Sequence, residues 1–279
     1  MRLIKPRADA AAVASTIIVR TLDEHELVRI LEPQVQAVVY APPALPAWMG
    51  ELAGAVAAGE FRVRRTILGE VTGAEIAGWL EDNLPVGVVA EAVRDALVAD
   101  VLALVERQRA MTESSRFMLR IFTGAPTRDC GFHVDTVPPG APRFGLLRVY
   151  NGAGTDYVEP AALISMRGFY RYASRRERLA REWAEARAGD DESVRRRALA
   201  DLVQLDEERA FLAGPERVET APAGAIVAFR HLDVRHHWST DERHRAWIHC
   251  SPMQGEPRLV VNVTAHRSAT GRFSRPGGG

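Results

Sequence analysis

Apolar positions in the first 115 residues recur mainly at helical spacing. Between residues 87 and 106 they return every three or four positions along one face. Thr21 is followed by Glu24 three residues later, which is the spacing of a capping box and predicts a helix that begins there. Further helices are predicted at 48–58 and 72–80, and strands at 34–40 and 62–67. Residues 1–115 are therefore predicted to form a mixed, mainly helical region that packs on the core.

From residue 116 onward, short apolar runs alternate with turn residues. The runs lie at 117–122, 144–150, 157–158, 225–230, 246–249 and 259–264. Several short strands separated by Gly, Pro and Asn are typical of an antiparallel sandwich or jelly roll. The chain is therefore predicted to be an α+β protein with a β core at 116–266.

The segment 170–217 interrupts this β pattern. It is rich in Arg, Glu and Ala and is predicted to be a helical insertion. Two interpretations stay open: a solvated helical pair, or a lid or partner surface over the mouth of the core. The Gly/Ser/Arg-rich tail at 267–279 is predicted to be disordered.

Composition narrows the classes of partner. The 279 residues include 36 basic and 36 acidic side chains, so there is no net field to recruit nucleic acid. No apolar run approaches the roughly 18 residues that a membrane span requires. The apolar stretch near the N-terminus is broken by Ser15 and Thr16, which argues against a secretory signal. With two cysteines there is no disulfide framework, and a cytoplasmic location is expected.

A candidate metal site begins at His133-Val134-Asp135. On an extended segment, residues two apart point to the same side, so this imidazole and carboxylate converge. His249 ends a short strand late in the core and is the candidate third ligand. Two histidines and one carboxylate leave open positions on a metal, an arrangement suited to Fe(II) and O₂.

Arg258 follows nine residues after His249 and opens an apolar strand. Its planar, permanently charged guanidinium suits bidentate binding of a carboxylate. Between the ligands lie the segments Leu-Arg-Val-Tyr-Asn-Gly-Ala-Gly-Thr at 147–155 and Pro-Ala-Gly-Ala-Ile-Val-Ala-Phe at 222–229.

In this order, the motifs resemble those of the 2-oxoglutarate and Fe(II)-dependent oxygenases, especially prolyl-hydroxylase-like members, over about residues 117–265. The segments Cys-Gly-Phe-His-Val-Asp and His-Cys-Ser-Pro also resemble a bacterial domain family of unknown function. The oxygenase resemblance implies a double-stranded β-helix, a cupin-like jelly roll, as the core. It implies His133, Asp135 and His249 as iron ligands and Arg258 as the anchor of the 2-oxoglutarate C5 carboxylate. The partner that shares this carboxylate stays open among Tyr150, Arg148 and Thr155.

Other histidines and the cysteines offer alternatives. His231, His236, His237 and His244 could form a second metal site or a proton relay, and His244 is the substitute candidate for His249. Cys130 and Cys250 flank two proposed ligands and are predicted to be packing residues. Cys250 should face away from the site because neighbours on a strand alternate.

The predicted function is a non-haem Fe(II)-dependent oxygenase that uses 2-oxoglutarate and O₂ to oxidise a small-molecule or peptide substrate. Two alternatives stay open. One is a 2-oxoglutarate-independent iron oxygenase or oxidase whose substrate binds the metal directly. The other is a jelly roll that binds metal or a small ligand without turnover. The sequence predicts no oligomeric state.

Overall fold

The computed structural model describes residues 17–128, 130–236 and 246–266. These residues form five α-helices, α1 Ala47–Ala57, α2 Gly73–Asn83, α3 Glu91–Thr112, α4 Met166–Ala188 and α5 Glu192–Glu208. The strands are β1 Ile17–Thr21, β2 Val35–Tyr40, β3 Thr66–Val71, β4 Arg116–Gly124, β5 Thr136–Val137, β6 Phe144–Val149, β7 Asp156–Val158, β8 Val218–Thr220, β9 Ile226–Arg230, β10 Leu232–Asp233, β11 His249–Cys250 and β12 Arg258–His266. Short 3-10 helices lie at Glu24–Leu31, Pro160–Ala162, Pro215–Arg217 and Val234–His236. This mixture of helices and sheets agrees with the predicted α+β class.

A seven-stranded sheet runs in the order β1-β2-β9-β6-β12-β4-β3. Its strands pair in antiparallel fashion except β1 with β2. Strands β1, β2 and β3 come from the first 115 residues; β2 pairs with β9 and β3 pairs with β4, toward opposite ends of the sheet. The division of the chain at residue 115 stays a prediction, but backbone hydrogen bonds cross it.

Helices α1, α2 and α3 cover one face of this sheet. On β12 the odd-numbered residues Leu259, Val261 and Val263 point to this side and join one hydrophobic cluster with Leu52 of α1 and Leu97 of α3. The N-terminal helices therefore form a layer behind the sheet. No described helix combines the length and apolarity needed to cross a bilayer.

The opposite face of the large sheet meets a second sheet, of order β11-β7-β8. Leu147 and Phe229 from the large sheet pack with Tyr157 and Trp247 from the second layer in a separate cluster. The two layers enclose the space in which the candidate site lies. A third pairing joins β10 to β5 in parallel and fixes the chain just after Asp135.

The segment predicted as a helical insertion contains most of α4 and all of α5. Its apolar face packs on Phe132, Val134, Ile248 and Cys250, the immediate neighbours of His133 and His249 in the chain. These neighbours point away from the site because successive residues of an extended chain alternate. The insertion therefore supports the ligand-bearing segments from behind, in addition to presenting a solvated face.

The capping box lies at a different threonine from the predicted one. Thr21 ends β1, and the following 3-10 helix is capped by Asp23, whose side chain accepts from the backbone N–H of His25. The reciprocal hydrogen bonds of a capping box form instead between Thr72 and Glu75 at the start of α2. The tail at 267–279, predicted to be disordered, lies outside the described residues.

Candidate metal centre

His133 and His249 are held side by side by the backbone. The His133 N–H donates to the carbonyl of His249 over 2.9 Å, and the His249 N–H donates back over 3.0 Å. Residues that exchange both bonds in an antiparallel pair project their side chains to the same side. The two imidazole rings accordingly lie with centroids 4.5 Å apart.

Asp135 completes the cluster from the same segment as His133. Its Oδ1 lies 3.5 Å from Nε2 of His133, and its Oδ2 lies 3.9 Å from Nε2 of His249. One ligand atom from each of the three residues can be chosen so that all lie within 4.8 Å of one another. The structure therefore brings the three predicted ligands together.

Backbone carbonyls determine which nitrogen of each histidine carries the proton. Nδ1 of His133 lies 2.8 Å from the carbonyl oxygen of Gly131, and Nδ1 of His249 lies 3.1 Å from that of Trp247. A carbonyl can only accept, so each Nδ1 donates, and in the neutral ring Nε2 keeps its lone pair. Both Nε2 atoms face the Asp135 carboxylate. Lone pairs directed at a carboxylate repel it unless a proton or a cation lies between them.

The electrostatics of the cluster agree with this requirement. Burial lowers the pKa of His249 to about 3, so this ring is neutral at neutral pH. Burial would also lower the pKa of His133, but Asp135 and Cys130 outweigh it and hold that pKa well above its usual value. The pKa of Asp135 is far below its usual range because His133 and His249 outweigh its burial. Without a bound cation, a proton on Nε2 of His133, shared with Asp135, would relieve the repulsion between these side chains.

A buried ion pair from the insertion holds the backbone before His133. Arg176 of α4 donates from Nε to Asp206 of α5 over 2.7 Å, and its Nη2 donates to the carbonyl of Arg128 over 2.6 Å. Tyr172 donates to the same aspartate over 2.9 Å and accepts from the N–H of Phe132 over 3.3 Å. These bonds fix the chain on both sides of residue 130 and hence the start of the His133 segment.

Arg258 lines the cavity that also contains His133, Asp135 and His249. Nη1 donates to the carbonyls of Ala153 and Gly154, both over 2.9 Å, whereas the buried Nε has no hydrogen-bond partner among the described residues. The side chain of Asn151 accepts from the N–H of Leu259 and donates to the carbonyl of Pro257. These two hydrogen bonds hold the backbone on either side of Arg258.

Arg148 and Tyr150 lie on the other side of the sheet. Arg148 donates to Oδ1 of Asp100 in α3 over 2.5 Å, and the Tyr150 hydroxyl donates to Oδ2 over 2.6 Å. Neither lines the cavity that holds the metal cluster, whereas the third candidate, Thr155, does. Alternation along β6 is the reason: Leu147 points toward the site, and Arg148 points toward the helices.

The cavity that contains the cluster has a volume of about 330 Å³. Arg65 and Arg120 also line it, and sequence reasoning did not select them. The sequence does mark Arg120 as unusual, because it is the one charged residue inside the apolar run 117–122. Asn262 lies opposite Arg120 on β12 and adds an amide to the same wall.

The predicted histidine cluster falls largely outside the described residues, which do not include His237, His244 or the side chain of His236. His231 is described and is buried, with its ring 4.8 Å from that of Phe229. Burial lowers the pKa of His231 to about 4. A second metal site in this segment stays a prediction.

The two cysteines differ in environment. Cys250 is buried among the apolar residues behind the site and faces away from it, as predicted. Cys130 is exposed and is not a core packing residue. Its Sγ lies 3.3 Å from Nδ1 of His133, at the edge of the cavity.

Fold and site together define a two-layered β protein with a His/Asp/His cluster that could hold a metal ion. The chain belongs to the family described as "Protein of unknown function (DUF1826)", whose model matches residues 22–263. A search of curated proteins finds no match.

Three solved structures are similar over most of the chain. The rice dioxygenase for auxin oxidation (DAO) shares 12% identity at a TM-score of 0.40, covering 90% of this chain and 82% of its own. A prolyl-4-hydroxylase from Pseudomonas putida shares 15% sequence identity at a TM-score of 0.37. The similarity covers 87% of this chain and 98% of the hydroxylase. AviO1 from Streptomyces viridochromogenes Tue57 shares 14% sequence identity at a TM-score of 0.36. The similarity covers 89% of this chain and 97% of AviO1.

Proposed function

We propose that this protein is a non-haem Fe(II) oxygenase that uses 2-oxoglutarate and O₂ to oxidise a small-molecule or peptide substrate. The observation that carries the proposal is the convergence of His133, Asp135 and His249, whose ligand atoms lie within 4.8 Å of one another. The Nδ1–H groups of the two histidines are occupied by backbone carbonyls, and their Nε2 lone pairs turn inward.

The donor set fits a divalent transition metal. Neutral imidazole nitrogens with a carboxylate suit iron, and two nitrogens and one oxygen on one side leave the other side open to ligands. His133, Asp135 and His249 would hold the ion, and the carbonyls of Gly131 and Trp247 would orient the two rings. Fe(II) bound there supplies the activation of O₂ and the oxidising power, while the cavity walls position the substrate and exclude water.

We infer that the core is a double-stranded β-helix. Support comes from the way the chain passes repeatedly between the two layers, with β7 and β8 as a consecutive pair in the small sheet. Strand β4, then β6, β9 and β12 lie in the large sheet, whereas the His133 bridge, β7, β8 and β11 lie in the small one. Eight segments in two facing sheets are the arrangement expected of a jelly roll, which supports this inference. The three proposed ligands lie on the small sheet and the loop that follows it.

Arg258 supports the choice of 2-oxoglutarate as cosubstrate. Its guanidinium is buried at the cavity wall, forms no ion pair within 4.0 Å among the described residues, and leaves Nε unpaired. A buried donor without a partner is costly, and a carboxylate that accepts from Nε and Nη2 would satisfy it bidentately. The C5 carboxylate of 2-oxoglutarate is such a group.

The test is an anaerobic titration of the metal-free protein with Fe(II) and 2-oxoglutarate, followed by measurement of O₂ uptake. The proposal expects a weak visible charge-transfer band, and weaker 2-oxoglutarate binding by Arg258→Met with Fe(II) affinity retained. Substrate-dependent O₂ uptake without 2-oxoglutarate would favour direct binding of substrate to iron. Metal binding with no O₂ uptake under any condition would favour a non-catalytic binding protein.

A further inference from the structure

The cavity around the metal cluster carries an excess of positive charge. Among the described residues, three arginines line it, Arg65, Arg120 and Arg258, against one carboxylate, that of Asp135. That carboxylate faces the two histidines and, by the proposed function, a divalent cation. The described lining therefore does not neutralise the arginines, and negatively charged ligands are expected to bind there.

Arg120 is the least expected of these residues. It occupies the middle of β4, where it is half-buried between Leu119 and Ile121 of the core. Its Nε is buried without a hydrogen-bond partner, and no ion pair joins it to an acidic residue within the described chain. An arginine held in the wall of a cavity without a counter-ion is costly unless a ligand supplies one.

The strand register separates Arg120 from Arg258. On β12 the partner of Arg120 is Asn262, whereas Arg258 itself pairs with Gly124. The two positions are thus four residues apart along adjacent strands, about 13 Å at the usual rise of a β-strand. Their electrostatic partners also differ, because Arg120 acts on His231, whereas Asp156 acts on Arg258. The two arginines therefore line different ends of the cavity wall, far enough apart to bind separate anionic groups.

Arg65 extends the Arg120 side to the cavity rim. Its guanidinium carbon lies 5.4 Å from the centre of the Phe122 ring, which shares the cavity face of β4 with Arg120. The preceding backbone is fixed because the N–H of Thr123 donates to the carbonyl of Val63 over 2.9 Å. A half-buried and an exposed arginine thus lie along one wall, with an aromatic ring between them.

We propose that Arg120 and Arg65 form a second anion subsite and that the substrate is a small organic anion, a carboxylate or a phosphate ester. This inference rests on the proposed function, in which Arg258 takes the cosubstrate. The cavity of about 330 Å³ must hold both molecules, which favours a small substrate over a bulky one. The ring of Phe122 gives the apolar part of such a substrate a contact surface.

The test measures the binding of benzoate, its neutral analogue benzamide, and inorganic phosphate by calorimetry. The protein is first saturated with Zn(II) and with N-oxalylglycine, a non-reactive analogue of 2-oxoglutarate. Benzoate should still bind and benzamide should not. Arg120→Met should weaken benzoate binding about tenfold or more, since a charge-assisted bond is lost, and Arg120→Lys should restore part of it. Tighter binding of phosphate through Arg120 would identify a phosphate ester.

Matched variants separate the two proposals. Arg258→Met should weaken N-oxalylglycine and leave benzoate unchanged. Arg64→Met removes a neighbouring arginine outside this cavity and should change neither. Equal affinity for benzoate and benzamide, competition between benzoate and N-oxalylglycine, or loss of N-oxalylglycine binding in Arg120→Met would overturn the second subsite. Absent Zn(II) or N-oxalylglycine binding would instead count against the proposed function, while benzoate titration of the metal-free protein still tests Arg120.

Discussion

His133 and His249 are 116 positions apart in the chain, yet each donates its backbone N–H to the carbonyl of the other. This pair of hydrogen bonds, and not a loop conformation, sets the spacing of their rings. A site built on paired backbone is more precise than one carried on free loops. The same pairing directs the adjacent residues Phe132 and Ile248 to the opposite side, where they pack in a hydrophobic cluster with α4 and α5.

Replacing Gly131 by alanine should perturb both the fold and the metal site. A Cβ at this position would lie 2.0 Å from Nε of Arg176 and 2.6 Å from the Tyr172 hydroxyl. Because both groups are bound to Asp206, they cannot yield freely, and the cost should be about 1–3 kcal/mol of unfolding free energy. Urea denaturation measures this, and metal affinity should fall as well.

The matched control is Gly78→Ala, in the interior of α2, where an added Cβ meets nothing within 4 Å. Alanine there should stabilise the protein by about 0.5–1 kcal/mol. If Gly131→Ala were as stable as the wild type, the proposed support of His133 by the insertion would be wrong.

His231 should make the metal-free protein less stable in mild acid. Its folded pKa is about 4, lowered by burial, whereas the unfolded chain has the ordinary value of about 6.5. Between these values the unfolded state binds the extra proton, so stability is complete above the unfolded pKa and falls as pH falls toward the folded one. The loss is about 1.4 kcal/mol per pH unit for one group.

The measurement is the free energy of unfolding in urea with a chelator present, at about pH 7, 6 and 5. His231→Leu removes the titrating ring. The slope of unfolding free energy against pH should then decrease by the amount that corresponds to about one bound proton. An unchanged slope in that variant would show that His231 does not stay neutral in the folded protein.

Metal binding should release about one proton near neutral pH. The pKa of His133 is held well above its usual value, because Asp135 and Cys130 outweigh its burial, whereas His249 is neutral. A metal ligand must be deprotonated, so the shared proton has to leave, and affinity should rise about tenfold per pH unit up to that pKa. Calorimetry in two buffers of different ionisation enthalpy counts the protons released. A count of zero would contradict the assignment of the proton to His133.

Tyr150→Phe should affect stability and not cosubstrate binding. The hydroxyl donates to Asp100 of α3 over 2.6 Å, so its removal leaves a partly buried carboxylate oxygen with one bond fewer. The cost should be about 1–2 kcal/mol of unfolding free energy, with 2-oxoglutarate affinity unchanged. Weaker 2-oxoglutarate binding in this variant, without loss of stability, would place Tyr150 back among the cosubstrate residues.

The sequence predicted the pair His133 and Asp135 well because a spacing of two on extended chain has one geometric consequence. The sequence could not show which residues of β6 point toward the site and which point toward the helices. Leu146, Leu147 and Val149 are all buried, since both faces of this central strand are covered, so no alternation of polar and apolar residues distinguished Arg148 from Leu147.

Other features depended on tertiary contacts. Thr21 and Thr72 each have a glutamate three residues later, yet Thr21 is drawn into β1 by its pairing with Tyr40 of β2, and only Thr72 caps a helix. The insertion was predicted as a helical pair, but its packing against the back of the ligand segments depends on Arg176 and Asp206 meeting across two helices. A contact between residues on two different helices cannot be predicted from the local sequence pattern of either helix.

The central claim is that His133, Asp135 and His249 hold one metal ion, and anaerobic Fe(II) binding to the metal-free protein tests it most directly. Calorimetry should give about one ion per chain, with affinity lowered at least about a hundredfold in Asp135→Ala and His249→Ala, because each removes a direct ligand. Cys250→Ala, a buried neighbour that faces away, is the control and should bind Fe(II) as the wild type does. Wild-type Fe(II) affinity in both ligand variants would contradict the account.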